Sequence, residues 1–359
     1  MGRSLILLTV SGSIPAGIEA EVAAGRRPRP DYVELARGLE ADLIDRETAR
    51  RKTGFIGRLL EAVIGADGLL AVACFLRCGA YRLVISDGEQ IGLPLALLMK
   101  TLRPWHRPKH VMITHIISVR KKMLFLDWFG VQSRIDRFVV YASWQQRFII
   151  ERWRLPVSRV VRIPFMVDEN FFSARPVTCS DTALPQICAV GLERRDYTTL
   201  VRAVAGLRVR VVIAAHSLWA KRSDAPEEAA IPENIVVQRL SQFDLRQLYA
   251  DSRFVVIPLH EVPFQAGVTA ILEAMAMGKA VICSKVKGQT DVIVDGETGL
   301  YVPPYDPSRL RTAIETLLSQ PELAERMGRQ GRRLVEEEMS LERYVDRFRG
   351  IVEPVLATG

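Results

Sequence analysis

The chain is poor in the residues that staple a small protein or bind a metal. Its 359 residues hold five cysteines and five histidines. Cys74, Cys78, Cys179, Cys188 and Cys283 show neither a paired framework nor zinc-ligand spacing, and no histidine stands near the two closest, Cys74 and Cys78. A disulfide scaffold and a zinc module are thereby excluded, and the thiols read as buried groups in a reducing cytoplasm. An Asp-x-Asp pair that could clamp a metal ion is also missing. So is an uninterrupted membrane-length hydrophobic run. Residues 5–10 are too few for a signal core, and residues 59–76 are broken by Glu61, Gly65, Asp67 and Gly68. This second run reads as a buried helix with a break.

What is present fits a two-domain globular protein. The length exceeds what one hydrophobic core supports, and 48% hydrophobic with 25% charged residues is ordinary soluble composition. The formal charge of +8 is uneven. Residues 1–170 carry 26 Lys and Arg against 17 Asp and Glu, while residues 171–359 carry 23 against 24. A basic half suits an anionic partner such as a membrane surface, or only keeps the protein soluble. It holds no recognisable nucleic-acid reading motif, so nucleic acid is not expected.

The most organised stretch is 253–302. Residues 253–257 form a β-branched apolar run stopped by Pro258, which cannot donate to a ladder. Val268, Ile271, Leu272, Met275 and Ala276 then recur at helical spacing, Gly278 stops the helix, and residues 280–283 are apolar again. The spacing predicts one βαβ unit of a parallel sheet, and such sheets bind ligands beyond the carboxyl ends of their strands. The loop and first turn before that helix hold Gln265, Ala266, Gly267, Val268 and Thr269, with Glu273 eight residues after Gln265. Free amides at a helix start attract anions, and Gly267 allows close backbone approach, so a phosphate fits there. Glu273, deeper in the helix, could accept hydrogen bonds from sugar or ribose hydroxyls.

QAGVTAILEAMAMGKAVICSKVKGQTDVIVDGETGLYV resembles the donor-site signature of the family-4 retaining glycosyltransferases of GT-B fold. That resemblance implies two doubly wound, Rossmann-like α/β domains facing a cleft. The domains are expected at 1–170 for the acceptor and 171–335 for the donor, with a C-terminal helix, 336–359, crossing back. Glu273 would hold the ribose of a nucleotide-diphosphate sugar and Gln265 would face the sugar. Gln265 replaces the carboxylate of the family pattern, and the loop after Pro258 is about three residues longer than usual. In GLERRDYTTL the family's diphosphate-gripping cations correspond to Arg194 and Arg195, with Arg195 the better aligned to a lysine. His115, in THIIS after an apolar strand, matches a histidine that contacts the donor sugar near the reacting carbon.

The remaining features concern the first half. Asp87 and Glu89, at the end of the strand 82–86, either bind the acceptor hydroxyl or cap the next helix. The proline-punctuated loop 23–31 either gates an acceptor site or is disordered. In ETARRKTGFIGRLLEAVIG, basic residues adjoin an apolar face, which is what an interfacial helix needs; the reading favoured is a surface helix packing one side on the core. Residues 120–129, basic and aromatic, are the preferred membrane contact. Residues 176–184 read as a linker and 218–233 as a polar loop.

The resemblance implies a transferase that needs no cofactor besides its nucleotide-sugar substrate, and the missing Asp-x-Asp pair leads to the expectation of no metal requirement. The unpaired thiols suggest the cytoplasm, and the basic first half with residues 120–129 suggests a place at the inner membrane face and a lipid or cell-envelope glycan as acceptor. Arginine and helix amides would take the place of a metal on the diphosphate. A non-catalytic sugar-nucleotide-binding protein and a GT-B-fold epimerase are the alternatives.

Overall fold

A computed structural model of the chain describes residues 4–103, 105, 107–173, 184–215 and 232–357. Cys179, the linker 176–184 up to its last residue, and the loop 218–233 up to its last two residues lie outside the described residues. The chain divides into two compact units. Met1–Glu19, Pro30–Ile163 and Tyr344–Gly359 form the first, and Ala20–Arg29 and Pro164–Arg343 the second. These boundaries depart from the contiguous 1–170 stretch in one physical respect. The proline-rich loop is pinned to the second unit, where the Arg29 guanidinium forks onto Asp168 (2.8 and 3.1 Å) and reaches Glu342 at 2.7 Å. Its backbone N–H also donates to Asp168 at 2.8 Å.

The first unit is built on β1 (Ile6–Thr9), β2 (Asp42–Ile44), β3 (Leu83–Asp87), β4 (Lys109–Thr114), β5 (Arg137–Val140) and β6 (Val160–Arg162). They lie in the order β2-β1-β3-β4-β5-β6, all parallel. The helices up to the end of this sheet are α1 (Ile18–Ala23), α2 (Asp31–Gly38), α3 (Arg46–Cys78), α4 (Glu89–Leu102), α5 (Arg120–Asp127) and α6 (Ser143–Trp153). β1 is buried on both faces, which is why it reads as a plain apolar run rather than an alternation.

The second unit repeats the plan with β7 (Gln186–Val190), β8 (Arg210–Ala214), β9 (Ile235–Gln238), β10 (Phe254–Ile257), β11 (Ala280–Ser284) and β12 (Gly299–Val302). Their order is β12-β11-β10-β7-β8-β9, again parallel. Its helices are α7 (Tyr197–Val204), α8 (Gln242–Asp251), α9 (Val268–Ala276), α10 (Pro307–Ser319) and α11 (Pro321–Leu334); α12 (Leu341–Ala357) runs on into the first unit. The expected βαβ unit is β10-α9-β11, with Phe254 opposite Ala280 and Ile257 opposite Cys283. Ile271, Leu272, Ala274 and Met275 are fully buried on α9, and Gly278, at φ +69°, ends it. In each sheet the first strand of the unit lies between neighbours reached by opposite-going connections. That leaves a switch point between β1 and β3, and another between β7 and β10.

α3 bears out two expectations only in part. The chain leaves helical geometry at Gly54 (φ +59°, ψ −140°) and Gly65 (φ +76°, ψ 171°). Leu69, Leu70, Ala71, Ala73, Cys74 and Cys78 pack with Leu7, Val84, Ile91 and Leu95, as a buried helix should. The stretch between the two glycines does not: Phe55, Ile56, Leu59, Val63 and Ile64 are exposed. Only Gly57 and the half-buried Leu60 of this stretch face that core, so it packs one narrow side there while its larger apolar stripe stays outside, and the positive-φ glycines at both ends keep it from continuing the buried helix.

Candidate functional site

In the second unit the switch point opens into a cavity of about 350 Å³. It lies beyond the carboxyl ends of β7 and β10, where its lining includes Gly191, Arg195, Leu245, Gly267, Thr269 and Glu273. Three local features build it. After β7, Gly191 turns at φ +99° and Arg194 at φ +57°, and Asp196 caps α7 by accepting from the Thr199 N–H at 3.1 Å. Asp196 N–H donates to the Pro258 carbonyl at 3.0 Å and His260 N–H to that of Arg194 at 3.0 Å, so the β7 loop is zipped to the chain leaving β10. On the other side, Gly267 at φ +77° and ψ 0° starts α9.

This zipper sorts the two arginines. Arg194 points into solvent. Arg195 turns inward, donating from Nε to the Val190 carbonyl and from a terminal nitrogen to that of Glu193, both at 2.8 Å. A Cβ added at Gly191 would fall 2.5 Å from the Arg195 guanidinium, and one at Gly267 would fall 3.3 Å from it. The glycines therefore leave the space the guanidinium fills, and burial pulls its pKa below the ordinary arginine value.

Glu273 is 7% exposed and its Oε2 accepts from the Tyr249 hydroxyl at 2.8 Å. Burial pushes its pKa up to about 7, against the opposing pull of the Tyr249 hydrogen bond and the Arg195 charge. Ala266, Gly267 and Thr269 line the same cavity, whereas Val268 belongs to the core and Gln265 is not in the lining. The Gln265 side-chain oxygen is buried without a hydrogen-bond partner among the described residues. The long loop after Pro258 is held from behind by the turn at 286–289. Gly288 N–H donates to the Val262 carbonyl at 3.2 Å, and buried Gln289 donates from Nε2 to that of Ala266 at 3.0 Å.

The first unit gathers a separate polar cluster at its own switch point. His115 Nε2 lies 3.1 Å from Asp87, whose other oxygen accepts from the Ser11 hydroxyl at 2.9 Å. Glu89, 1% exposed, accepts from the His115 and Ile116 N–H groups at 2.9 and 2.8 Å and from Lys122 at 2.6 Å. Burial alone would lower the His115 pKa. The hydrogen bond and charge of Asp87, with Glu89 and Asp31, outweigh it and raise the value. Asp31 is pushed up to about 6 by burial and by the Asp87 charge. The Tyr141 ring sits 5.6 Å from that of His115, and its hydroxyl is 2.9 Å from that of Tyr344.

The sequence reading singled out neither Gly191 in the first site nor Asp31, Tyr141 and Tyr344 in the second. It reached Leu245 and Tyr249 only within a stretch, 240–252, that resembles the border of a nucleobase pocket, Ser11 only within the small-residue turn after the first strand, and Lys122 only within the membrane-contact segment. The Gly191 turn after an apolar strand is a signal that could have been read; Asp31 and Tyr344 carry none. Among the described residues no cluster of three or more His, Cys, Asp or Glu is placed to hold a metal ion.

Residues 193–334 match the family model described as glycosyl transferases group 1. The MMP alpha-(1->4)-mannosyltransferase of Mycolicibacterium hassiacum is 24% identical over 295 residues, 76% of this chain and 71% of that protein. Matches to other curated relatives reach 31–37% identity but span only 19–27% of those proteins' lengths. Sucrose-phosphate synthase from Thermosynechococcus elongatus superposes with a TM-score of 0.74 at 18% identity, covering 99% of this chain and 100% of that one. Anabaena Alr3699/HepE in complex with UDP-glucose superposes at 0.69 and 13% identity, covering 98% and 99%. The two doubly wound units are thus those of the GT-B fold.

Proposed function

We propose that this chain, a member of the glycosyl transferases group 1 family with the GT-B fold, moves a sugar from a nucleotide diphosphate to an acceptor hydroxyl with retention of configuration. One observation carries the reading: the Arg195 guanidinium and the Glu273 carboxyl line one cavity at a switch point, beside the glycine that opens α9. Such a set suits the two ends of a sugar nucleotide. Arg195 and the free amides at the start of α9 match a diphosphate, the more strongly because the cation is already desolvated. The Glu273 carboxylate accepts from ribose hydroxyls, and Gln265 turns its amide to the sugar. As the glycosidic bond breaks, negative charge grows on the leaving diphosphate, and Arg195 with those amides stabilises it without reorganisation. They occupy the role a metal would otherwise have, so transfer should survive EDTA. In the first unit, Asp87 and Glu89 hold His115, the side chain we assign to contact with the sugar.

UDP-glucose bound to a neighbour of the same fold supports a nucleotide-sugar donor. A lipid or cell-envelope acceptor, met from the cytoplasm at the inner membrane face, follows from the basic first half. The test is thermal stability against UDP, GDP, ADP and dTDP sugars in metal-free buffer, for the wild type and Glu273→Ala. A rise specific to one nucleotide and lost in the variant is expected, and the anomeric proton of the product should report retention. A variant that keeps full donor affinity and turnover sinks the site assignment.

A further inference from the structure

We propose that residues 55–64 form an arm that docks the protein on an anionic lipid surface. The arm is helical and isolated by the positive-φ breaks at Gly54 and Gly65. Phe55 is 74% exposed, Ile56 78%, Leu59 59% and Val63 83%. At 3.6 residues per turn these four fall within about 100° of arc. The opposite side faces the protein: Gly57 is buried, and a Cβ there would meet the Thr53 side chain and lie 3.6 Å from Leu69. Leu60 packs inward beside Gly57, half-buried against the core, while the larger apolar face, Phe55, Ile56, Leu59 and Val63, is turned outward. Water does not favour that orientation, and no element among the described residues covers it.

Charge identifies the occupant. Glu61, within the arm, is engaged by Arg50, and Asp67, just after it, by Arg46, which leaves Glu47 at the start of α3 as the exposed acid nearby. Arg51, Lys52 and Arg58 are exposed and carry no ion pair among the described residues. An apolar face about one helix wide, bordered by unneutralised cations, matches the acyl boundary and the phosphates of an anionic bilayer at once. A protein partner would have to supply an apolar groove with an acidic rim. α3 is long and apolar enough to cross a membrane by length and composition. Its second half is nevertheless packed in the core with Leu7 and Val84, so the arm lies on the surface rather than through it. Residues 120–129 fit less well. Lys122 is turned inward onto Glu89 and Leu126 is buried, which leaves Leu124, Trp128 and Phe129 as the outward apolar groups.

The inference deepens the acceptor side of the proposed reaction and does not depend on the donor cavity. Its test is flotation of the full chain with phosphatidylcholine vesicles, with and without phosphatidylglycerol. Wild type, Phe55→Glu/Val63→Glu, Lys52→Glu/Arg58→Glu and Trp128→Ser are compared, each checked for an unchanged melting temperature and nucleotide-sugar shift. The wild type should bind only the anionic vesicles and be released by salt. Both arm variants should partition at least about tenfold more weakly, and Trp128→Ser far less affected. A Phe55→Trp variant adds emission that brominated lipid tails should quench, which reads the contact without disrupting it. No wild-type binding, equal binding to neutral vesicles, or full binding by both arm variants overturns the proposal. So does a wild-type dimer that Phe55→Glu converts to monomer, since the face would then belong to a second copy. Loss of vesicle binding with the nucleotide-sugar shift intact separates this inference from the donor reading.

Discussion

Glu273→Gln should change how stability depends on pH. The folded chain holds the Glu273 carboxyl at about 7, against an ordinary glutamate value of 4.5, because burial disfavours its charge. A folded value above the unfolded one means that the folded state binds the proton more tightly. The associated stability is complete below pH 4.5 and is lost as the pH rises through 7. Two and a half pK units at about 1.36 kcal/mol each make that loss roughly 3 kcal/mol by pH 8. The glutamine does not titrate, and its carbonyl oxygen still accepts the Tyr249 hydroxyl. Relative to wild type, the variant should therefore gain roughly 3 kcal/mol between pH 4.5 and pH 8, or about 6–12 °C in Tm for a unit of this size. Urea denaturation across that range measures it. The ionised carboxylate is the stronger acceptor for ribose hydroxyls, so donor binding should release a proton below pH 7, and Kd should improve as the pH approaches 7 and then level off. Titration calorimetry in buffers of different ionisation enthalpy counts that proton. Parallel stability profiles for the two proteins, or donor binding at pH 6 without proton release, would refute the reasoning.

Arg195→Met should lower donor affinity by roughly 10- to 100-fold, the worth of charge-assisted hydrogen bonds to phosphate, while Arg194→Met, at an exposed side chain, should change it little. Equilibrium dialysis with the nucleotide sugar distinguishes them. Gly288→Ala places a Cβ 2.0 Å from the Phe264 carbonyl oxygen, so backbone must move. A loss of about 2 kcal/mol or more in urea denaturation is expected, together with a weaker donor shift, because the same turn supports Ala266. Asp87→Asn should lower the His115 pKa, read from its ring-proton NMR shifts, since Asp87 is the main group holding it up against burial. The raised wild-type value stabilises the fold fully below about pH 6.5, a margin lost as the pH rises through it, so wild type and variant should converge at high pH.

What the sequence disclosed follows from how each feature is encoded. β10, α9 and β11 were legible because a strand buried on both faces must be apolar at every position, and a core helix must repeat near 3.6. The Gly267 turn was legible because few other residues accept its φ. Arg194 and Arg195 could not be told apart by position, since their fates are set by the turns at Gly191 and Arg194 and by the zipper to Pro258 and His260. Asp31 and Tyr344 reach the His115 cluster from segments 84 and 229 residues away in the chain, a proximity that no local pattern records. The arm at 55–64 is the most instructive miss. Periodicity reveals that Phe55, Ile56, Leu59 and Val63 share a side of a helix, but the same stripe serves equally to enter a core or to leave it. The sign is decided by Gly54 and Gly65, which break the helix at positive φ, and by Gly57, whose missing side chain lets the side that carries Leu60 lie against Leu69. A stripe enclosed by two glycines that each need positive φ, with a third glycine on its opposite side, is therefore a sequence pattern for an outward-facing apolar helix.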